Sequence, residues 1–391
     1  MTDKKSIYTE DSIQLLDPMD HIRLRPGMYV GGTDKNALHH LFHEILDNSI
    51  DEAIAGNCDH IWITLKPNNE LSVRDNSRGI PANNTSYGKN TLELFMTSVG
   101  ACGTGMSDNY HVSGGLHGVG ISAVNALSAE CTAEVANSGY LWRQTYQAGT
   151  PVTEVLQVRP LADDEPTGSH ITIRPDFTIF EPNDFDYEIL ADRAREVAYM
   201  LPTLTLTLRD ERQAAMREDV YHFPGGISDY VADLNQPYSV LHDPFDASSE
   251  WTTRSKKGES HSVRVEIALQ YADTLDSKIV GYVNTVKTVG GYHTDNLPAL
   301  LVNAINESAA RRILEPFSTD EVMSGLTVVL SVWYPYPSFE SQTNITFIRS
   351  DVQDIVTATT EFAISSLYAH EFKAIVEKLL PNREALNNQI A

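Results

Sequence analysis

The chain has 391 residues, 41 % of them hydrophobic, and 29 basic against 53 acidic residues give it a net charge of −24. That length accommodates about two domains. No apolar run reaches the roughly 18–20 residues of a membrane span, and a chain this acidic repels nucleic acid as a whole. The N-terminus MTDKKSIYTEDS is polar and has no apolar leader core, and the three cysteines (Cys58, Cys102, Cys131) are far apart and lack metal-ligand spacing. The expectation is a cytoplasmic protein with reduced thiols and no membrane partner. A salt-adapted surface is a second reading of the charge, although charged residues are only 21 % of the chain, below the roughly 25 % average.

In chain order, residues 1–35 read as an arm plus a loop, with a turn at Pro26-Gly27. Leu38, Leu41, Phe42, Ile45, Leu46, Ala53 and Ile54 recur at helical spacing, and Gly56-Asn57 suits the stop. HIWITLKP and ELSVRD alternate around Pro67-Asn68-Asn69 and predict a hairpin. A helix is expected around Leu92–Val99, then a glycine-rich loop over 100–120 and a helix opening at Gly118. Strands follow at CTAEVAN, YLWRQTYQ and GSHITIRP, then the helix DYEILADRAREVAYML and the strand TLTLTLRD. Near residue 220 the pattern changes. Strands SVRVEIALQYA, KIVGYVNTV and LTVVLSVWYP then alternate with the helix LPALLVNAINESAARRIL and a long closing helix from Asp354. Hairpins and helices mix in each half, which predicts two α+β domains with helices on one face of a sheet.

Three groups of residues carry chemistry. Glu44, Asn48 and Glu52 lie four apart on one helical stripe, with Asp51 beside it. Alone, such a stripe reads first as a solvated polar face. Its sharper reading is a metal–nucleotide site, in which the Asn48 amide oxygen suits Mg²⁺ and Glu44 activates a water for attack on a terminal phosphate. Asp75 ends a strand ahead of Asn76-Ser77-Arg78-Gly79-Ile80-Pro81. It is suited either to an Asx-turn or to accepting a hydrogen bond from an exocyclic amine such as adenine N6. SGGLHGVG (113–120) has four glycines and leads into a helix, an arrangement that offers free N–H groups to phosphate. It is neither a P-loop nor a dinucleotide fingerprint, and alone it is a weak signal.

RPGMYVGG, HEILDNSIDEA, RDNSRGIP, SGGLHGVG and SFESQT, in that order over nearly the whole chain, resemble the ATPase segment of the gyrase B and topoisomerase IV B family within the GHKL ATPases. The resemblance implies a GHKL (Bergerat) ATP-binding sandwich over residues 1–219 and a ribosomal-S5-like transducer domain over 220–391. It implies Glu44 as general base, Asn48 as Mg²⁺ ligand, and Asp75 as adenine reader helped by Ser169. Arg78, Gly79, Ile80 and Pro81 become the adenine wall, and Gly114, Gly115, Leu116, His117, Gly118, Val119 and Gly120 the phosphate lid, with Tyr110 just before it. Arg143 falls where inhibitors of the family bind. Tyr8 and Ile13 match an arm that crosses to a second copy, so that ATP gates a homodimer and Tyr8 reaches the partner's nucleotide. An A-type topoisomerase subunit and DNA are the further partners implied.

The chain departs from the family pattern in four places. Where the family has Gln-Thr-Lys, this chain has Gln342-Thr343-Asn344, and loss of one such contact to a transferring phosphoryl group costs on the order of 10²–10³ in rate. ATP binding with slow or absent hydrolysis is therefore expected, unless Lys278 or Lys287 substitutes. A cation common near the lid is missing from Gly103–Met106. Ser77 replaces a usual glycine, with slight strain expected. The metal-dependent DNA-cleavage runs of the full subunit are absent. The alternative is a non-catalytic ATP-binding dimerisation module or regulatory paralogue. A sensor kinase of the same superfamily is less favoured, because no phospho-acceptor helix precedes the site.

Overall fold

A computed structural model describes residues 16–83, 88–100, 118–254, 260–311, 315–335, 337–340 and 346–366. The expected phosphate lid from Gly114 to His117, together with Tyr8, Ile13, Tyr110, Gln342 and Asn344, lies outside the described residues.

The first sheet contains β1 (His60–Lys66), β2 (Glu70–Asp75), β3 (Ser128–Asn137), β4 (Tyr140–Gln147), β5 (Thr150–Pro151), β6 (Leu156–Pro160), β7 (Gly168–Pro175), β8 (Thr205–Asp210) and β9 (Arg217–Tyr221). Its order is β5-β4-β3-β7-β2-β1-β8-β9, with β6 pairing to β4. All its pairings are antiparallel except β1 with β8. Alternation in β1 turns Ile61, Ile63 and Leu65 inward, each worth roughly 1.5–3 kcal/mol when fully buried.

The first helices are α1 (Pro18–Leu24), α2 (Gly27–Val30), α3 (Lys35–Ile54), α4 (Thr91–Thr97), α5 (Gly120–Ala126) and α6 (Tyr187–Met200). Helices α3, α5 and α6 cover one face of the sheet. Asp34 caps α3 by accepting from the Ala37 N–H at 3.0 Å, and Leu38, Leu41, Phe42, Ile45 and Leu46 form its buried face. The expected loop before residue 35 is corrected by α1 and α2. Asp17 caps α1 and Pro18 fixes its first turn, but seven residues are too few for a periodic signal.

The second sheet runs β10 (Phe245–Arg254), β11 (Ser260–Tyr271), β15 (Leu326–Trp333), β12 (Lys278–Val283), β13 (Val286–Thr288). Strands β14 (Gly290–Gly291) and β16 (Thr346–Phe347) form a small parallel pair. One face of the second sheet meets α7 (Ile227–Asn235), and the other packs on α8 (Leu297–Ala310), α9 (Thr319–Met323) and α10 (353–366). Strand β15 is buried at every position, which accounts for the mostly apolar run LTVVLSVW, interrupted by Thr327 and Ser331. No helix among the described residues is long and apolar enough to cross a membrane.

The two sheets meet through aromatic rings. Tyr199 of α6 stacks on Phe223 at 3.9 Å and on Tyr230 of α7 at 4.6 Å between centroids. The β12–β13 turn has Asn284 at φ 49° and Thr285 at φ 70°, the left-handed pair of a tight hairpin. Asparagine tolerates that region. A β-branched threonine costs about 1–3 kcal/mol to hold there.

Candidate nucleotide site

The site is built where α3 crosses the ends of β2 and β7 and the start of α5. Glu44 and His40 are one turn apart on α3, and His40 Nε2 lies 3.1 Å from Glu44 Oε1. Burial by itself lowers the His40 pKa, but the hydrogen bond and charge of Glu44, with the charge of Asp47, raise it on balance. The other Glu44 oxygen lies against Gly120, where a Cβ would fall 1.8 Å from Oε2. Only glycine admits the carboxylate this close to the first turn of α5. The Asn48 amide nitrogen donates to the Glu44 carbonyl at 3.1 Å, which leaves its Oδ1 as the atom available to a cation.

Asp75 is 5 % exposed. Its Oδ1 accepts the Ser77 N–H at 3.0 Å and the Ser169 N–H at 2.9 Å, and its Oδ2 accepts the Ser49 hydroxyl at 2.8 Å. The contact with Ser77 is the Asx-turn considered from the sequence. It leaves room for the second role, because a carboxylate has about four acceptor sites and three are filled. The loop beyond is set by close backbone approach. Gly79 has φ 74°, and a Cβ there would lie 2.6 Å from the Ala136 carbonyl oxygen. Asn137 Nδ2 donates to the carbonyls of Arg78 and Gly79 at 2.9 and 3.2 Å, and the Ile80 N–H donates to Ser169 Oγ at 3.3 Å. Ser77 is not in the left-handed region and its hydroxyl accepts the Gly79 N–H at 3.2 Å. The expected strain at Ser77 is therefore absent, since the residue that needs positive φ is Gly79.

The stripe read from the sequence divides in two. Glu44 faces the start of α5, whereas the two carboxylate oxygens of Glu52 accept from Nε and Nη2 of Arg78 at 2.9 Å each and fix the loop before Pro81. Arg143 pairs with Glu134 at 2.5 Å, and His170 lies 3.3 Å from the same carboxylate. The hydrogen bond from His170, with that from Arg143, brings the Glu134 pKa down to about 2 against the cost of its burial. Neither lysine offered as a substitute cation is at this site. Lys278 donates to the Leu234 carbonyl at 3.0 Å and Lys287 pairs with Glu196 at 2.5 Å. Among the described residues no three His, Cys, Asp or Glu side chains converge as a metal site. A cation here would draw on the Asn48 amide and on groups brought by a ligand.

Sequence reasoning misses three participants. His40 precedes Glu44 by one helical turn, which is a legible signal. Ser49 and Arg193 have none, because their partners Asp75 and Asp47 are 26 and 146 residues away. His43, on the same helix, has its pKa pushed down to about 3 by burial first and then by the charge of Arg193. It stays neutral when folded, while the unfolded chain takes a proton below about 6.5. Stability is thus lost as pH falls from about 6.5 towards 3, at up to about 1.4 kcal/mol per pH unit. Urea unfolding at pH values from 7 down to 5 should show His43→Gln with a shallower decline than the unmodified chain. Equal slopes would mean that His43 is not a source of the acid sensitivity.

The sequence profile of the family described as "Histidine kinase-, DNA gyrase B-, and HSP90-like ATPase" matches residues 33–179, and that described as "DNA gyrase B" matches residues 226–389. The chain is 36 % identical to the DNA gyrase B protein of Thermotoga maritima over 387 residues, 97 % of this chain and 60 % of the relative. It is 34 % identical to the DNA topoisomerase IV B protein of Staphylococcus epidermidis, over 98 % of this chain and 58 % of the relative. The fold superposes with a TM-score of 0.79 on the 43K ATPase domain of Thermus thermophilus gyrase B, solved in complex with an aminocoumarin. That match has 29 % identity and covers 96 % of this chain and 98 % of that one. The chain spans about 60 % of the length of the curated relatives it matches.

Proposed function

Taking as premise that the chain belongs to the gyrase B and topoisomerase IV B family of GHKL ATPases, we propose that it is the ATP-binding, ATP-gated dimerisation region of a type II DNA topoisomerase. The observation that carries this reading is the 2.8 Å hydrogen bond from Ser49 to Asp75. It locks a carboxylate suited to reading a base onto the helix that presents Glu44 and Asn48. The remaining acceptor site on Asp75 receives the adenine N6 amine, with Ser169 beside it. Gly79 and its neighbours Arg78, Ile80 and Pro81 wall the ring, and Gly118, Val119 and Gly120 bring the end of the glycine run to Glu44. Asn48 holds Mg²⁺, which when bound neutralises phosphate charge. Glu44, oriented by His40, accepts the proton of an attacking water.

The remaining assignments rest on the family alone. Tyr8, Ile13 and the arm they belong to cross to a second copy, while Tyr110, Gln342 and the lid residues Gly114, Gly115, Leu116 and His117 close over the phosphates. The two sheets act as an ATP-binding domain over 1–219 and a transducer over 220–391. A cytoplasmic setting, an A-type subunit and DNA complete the assembly. Asn344 replaces a lysine of the family and supplies no charge to the phosphoryl group, which favours binding over turnover. The same replacement motivates the second reading, a module that binds ATP and dimerises without hydrolysis. Steady-state ATPase assays with and without DNA separate the two.

Base recognition tests the site itself. Guanine presents a carbonyl where adenine presents the amine, so it meets Asp75 acceptor to acceptor. ATP is expected to bind at least about tenfold more tightly than GTP, the factor for roughly one buried hydrogen bond. Asp75→Asn is expected to bring the two towards parity in competition titrations. Equal affinity of the unmodified chain for both nucleotides would exclude Asp75 as the base reader.

A further inference from the structure

Arg193 of α6 spans the two sheets with one side chain. Its Nη2 donates to Asp47 Oδ1 at 3.0 Å, and its Nη1 donates to the Thr285 carbonyl at 2.8 Å. The pair is enclosed, with Arg193 12 % and Asp47 19 % exposed. Asp47 sits in α3 between Glu44 and Asn48, so one arm holds the helix segment that presents both. The other arm holds the left-handed turn of the β12–β13 hairpin. One helical turn further along α6, Glu196 pairs with Lys287 on the returning strand. Two side chains of α6 therefore grip this hairpin, one at its turn and one on β13.

The gripped turn is the strained one. Thr285 keeps φ 70°, a conformation that persists only where the surroundings impose it. From the sheet side, Asn284 Nδ2 donates to the Tyr334 carbonyl at 2.6 Å and the Tyr334 N–H donates back to Asn284 Oδ1 at 2.7 Å. From the nucleotide side, the contact is Arg193. A planar guanidinium serves two acceptors in fixed directions, which an ammonium does not.

We propose that Arg193 is a positioning residue that couples the nucleotide site to the second sheet, by tying the Glu44–Asn48 segment of α3 to the strained turn at Asn284–Thr285. Occupancy of the site then changes the stability of the turn, and the state of the turn changes nucleotide affinity by the same factor. This rests on the ATP-binding reading above.

The experiment is hydrogen exchange of the amides at 284–288 in the full chain, with and without a saturating non-hydrolysable ATP analogue and Mg²⁺. Binding is verified by calorimetry on the same samples. In the unmodified chain the analogue is expected to change exchange at the turn by a factor on the order of 5–150, the usual range of coupling between sites. In Arg193→Gln and in Asp47→Asn, with the analogue bound, that change is expected to fall below about twofold. Should Arg193→Gln fail to fold, Asp47→Asn, which keeps the volume and removes the charge, decides the matter. Analogue binding with no change at the turn of the unmodified chain overturns the coupling and leaves the ATP site standing. A variant that responds as strongly as the unmodified chain also overturns it. Absence of binding to the unmodified chain overturns the ATP reading, and the coupling with it.

Discussion

Glu44→Ala is expected to lower ATP turnover by about 10²–10⁴-fold, the usual contribution of a positioned general base, while a non-hydrolysable ATP analogue continues to bind. The expectation follows from where the two functions sit. In the proposed site, binding draws on Asp75, Asn48 and the glycines, none of which depends on the Glu44 carboxylate for its own position. Asn48 is held by the Glu44 backbone carbonyl, which survives the substitution. The proposed chemistry depends on the carboxylate itself, which is held between His40 Nε2 at 3.1 Å and the first turn of α5. Glu44→Gln keeps the shape and loses the base, so it should match Glu44→Ala in turnover. Turnover that persists in both would show that the proton goes elsewhere, and the assay should then be repeated on His40→Ala.

Asn344→Lys is expected to act in the opposite direction and raise turnover by on the order of 10²–10³-fold, the value of one well-placed electrostatic contact to a reacting group. The basis is chemical. A neutral amide cannot offset charge on a transferring phosphoryl group, and both lysines suggested by the sequence as substitutes are engaged elsewhere, Lys278 with the Leu234 carbonyl and Lys287 with Glu196. Rates of Asn344→Lys and the unmodified chain, measured at saturating ATP, settle it. Unchanged turnover would mean that a shortage of positive charge at this position does not limit the reaction.

The parts of the fold legible in the sequence are those whose signal is local and repeated. The period-two runs of β1 and β2 around Pro67-Asn68-Asn69, the helical stripe of α3 and the amphipathic α6 all read directly. Short or polar elements do not. Helices α1 and α9 have seven and five residues, below the length at which periodicity shows. Strand β10, FDASSEWTTR, is too polar to announce itself and owes its place to its ten-residue register with β11. The same division holds at the site. Glu44, Asn48 and Asp75 stand in motifs and are legible there. Ser49 and Arg193 act through partners distant in the chain, and sequence shows their type without their partner. Spacing groups Glu52 with Glu44, but Arg78 draws it into the loop instead, a choice made by tertiary contact.

The proposed ATP–Mg²⁺ site is more complete for binding than for hydrolysis. Calorimetric titration of the unmodified chain with a non-hydrolysable ATP analogue in Mg²⁺ tests this most directly. Saturable binding with one analogue per chain is expected, lost or strongly weakened in Asp75→Ala. No saturable binding to the unmodified chain, or binding unaffected by Asp75→Ala, would contradict it.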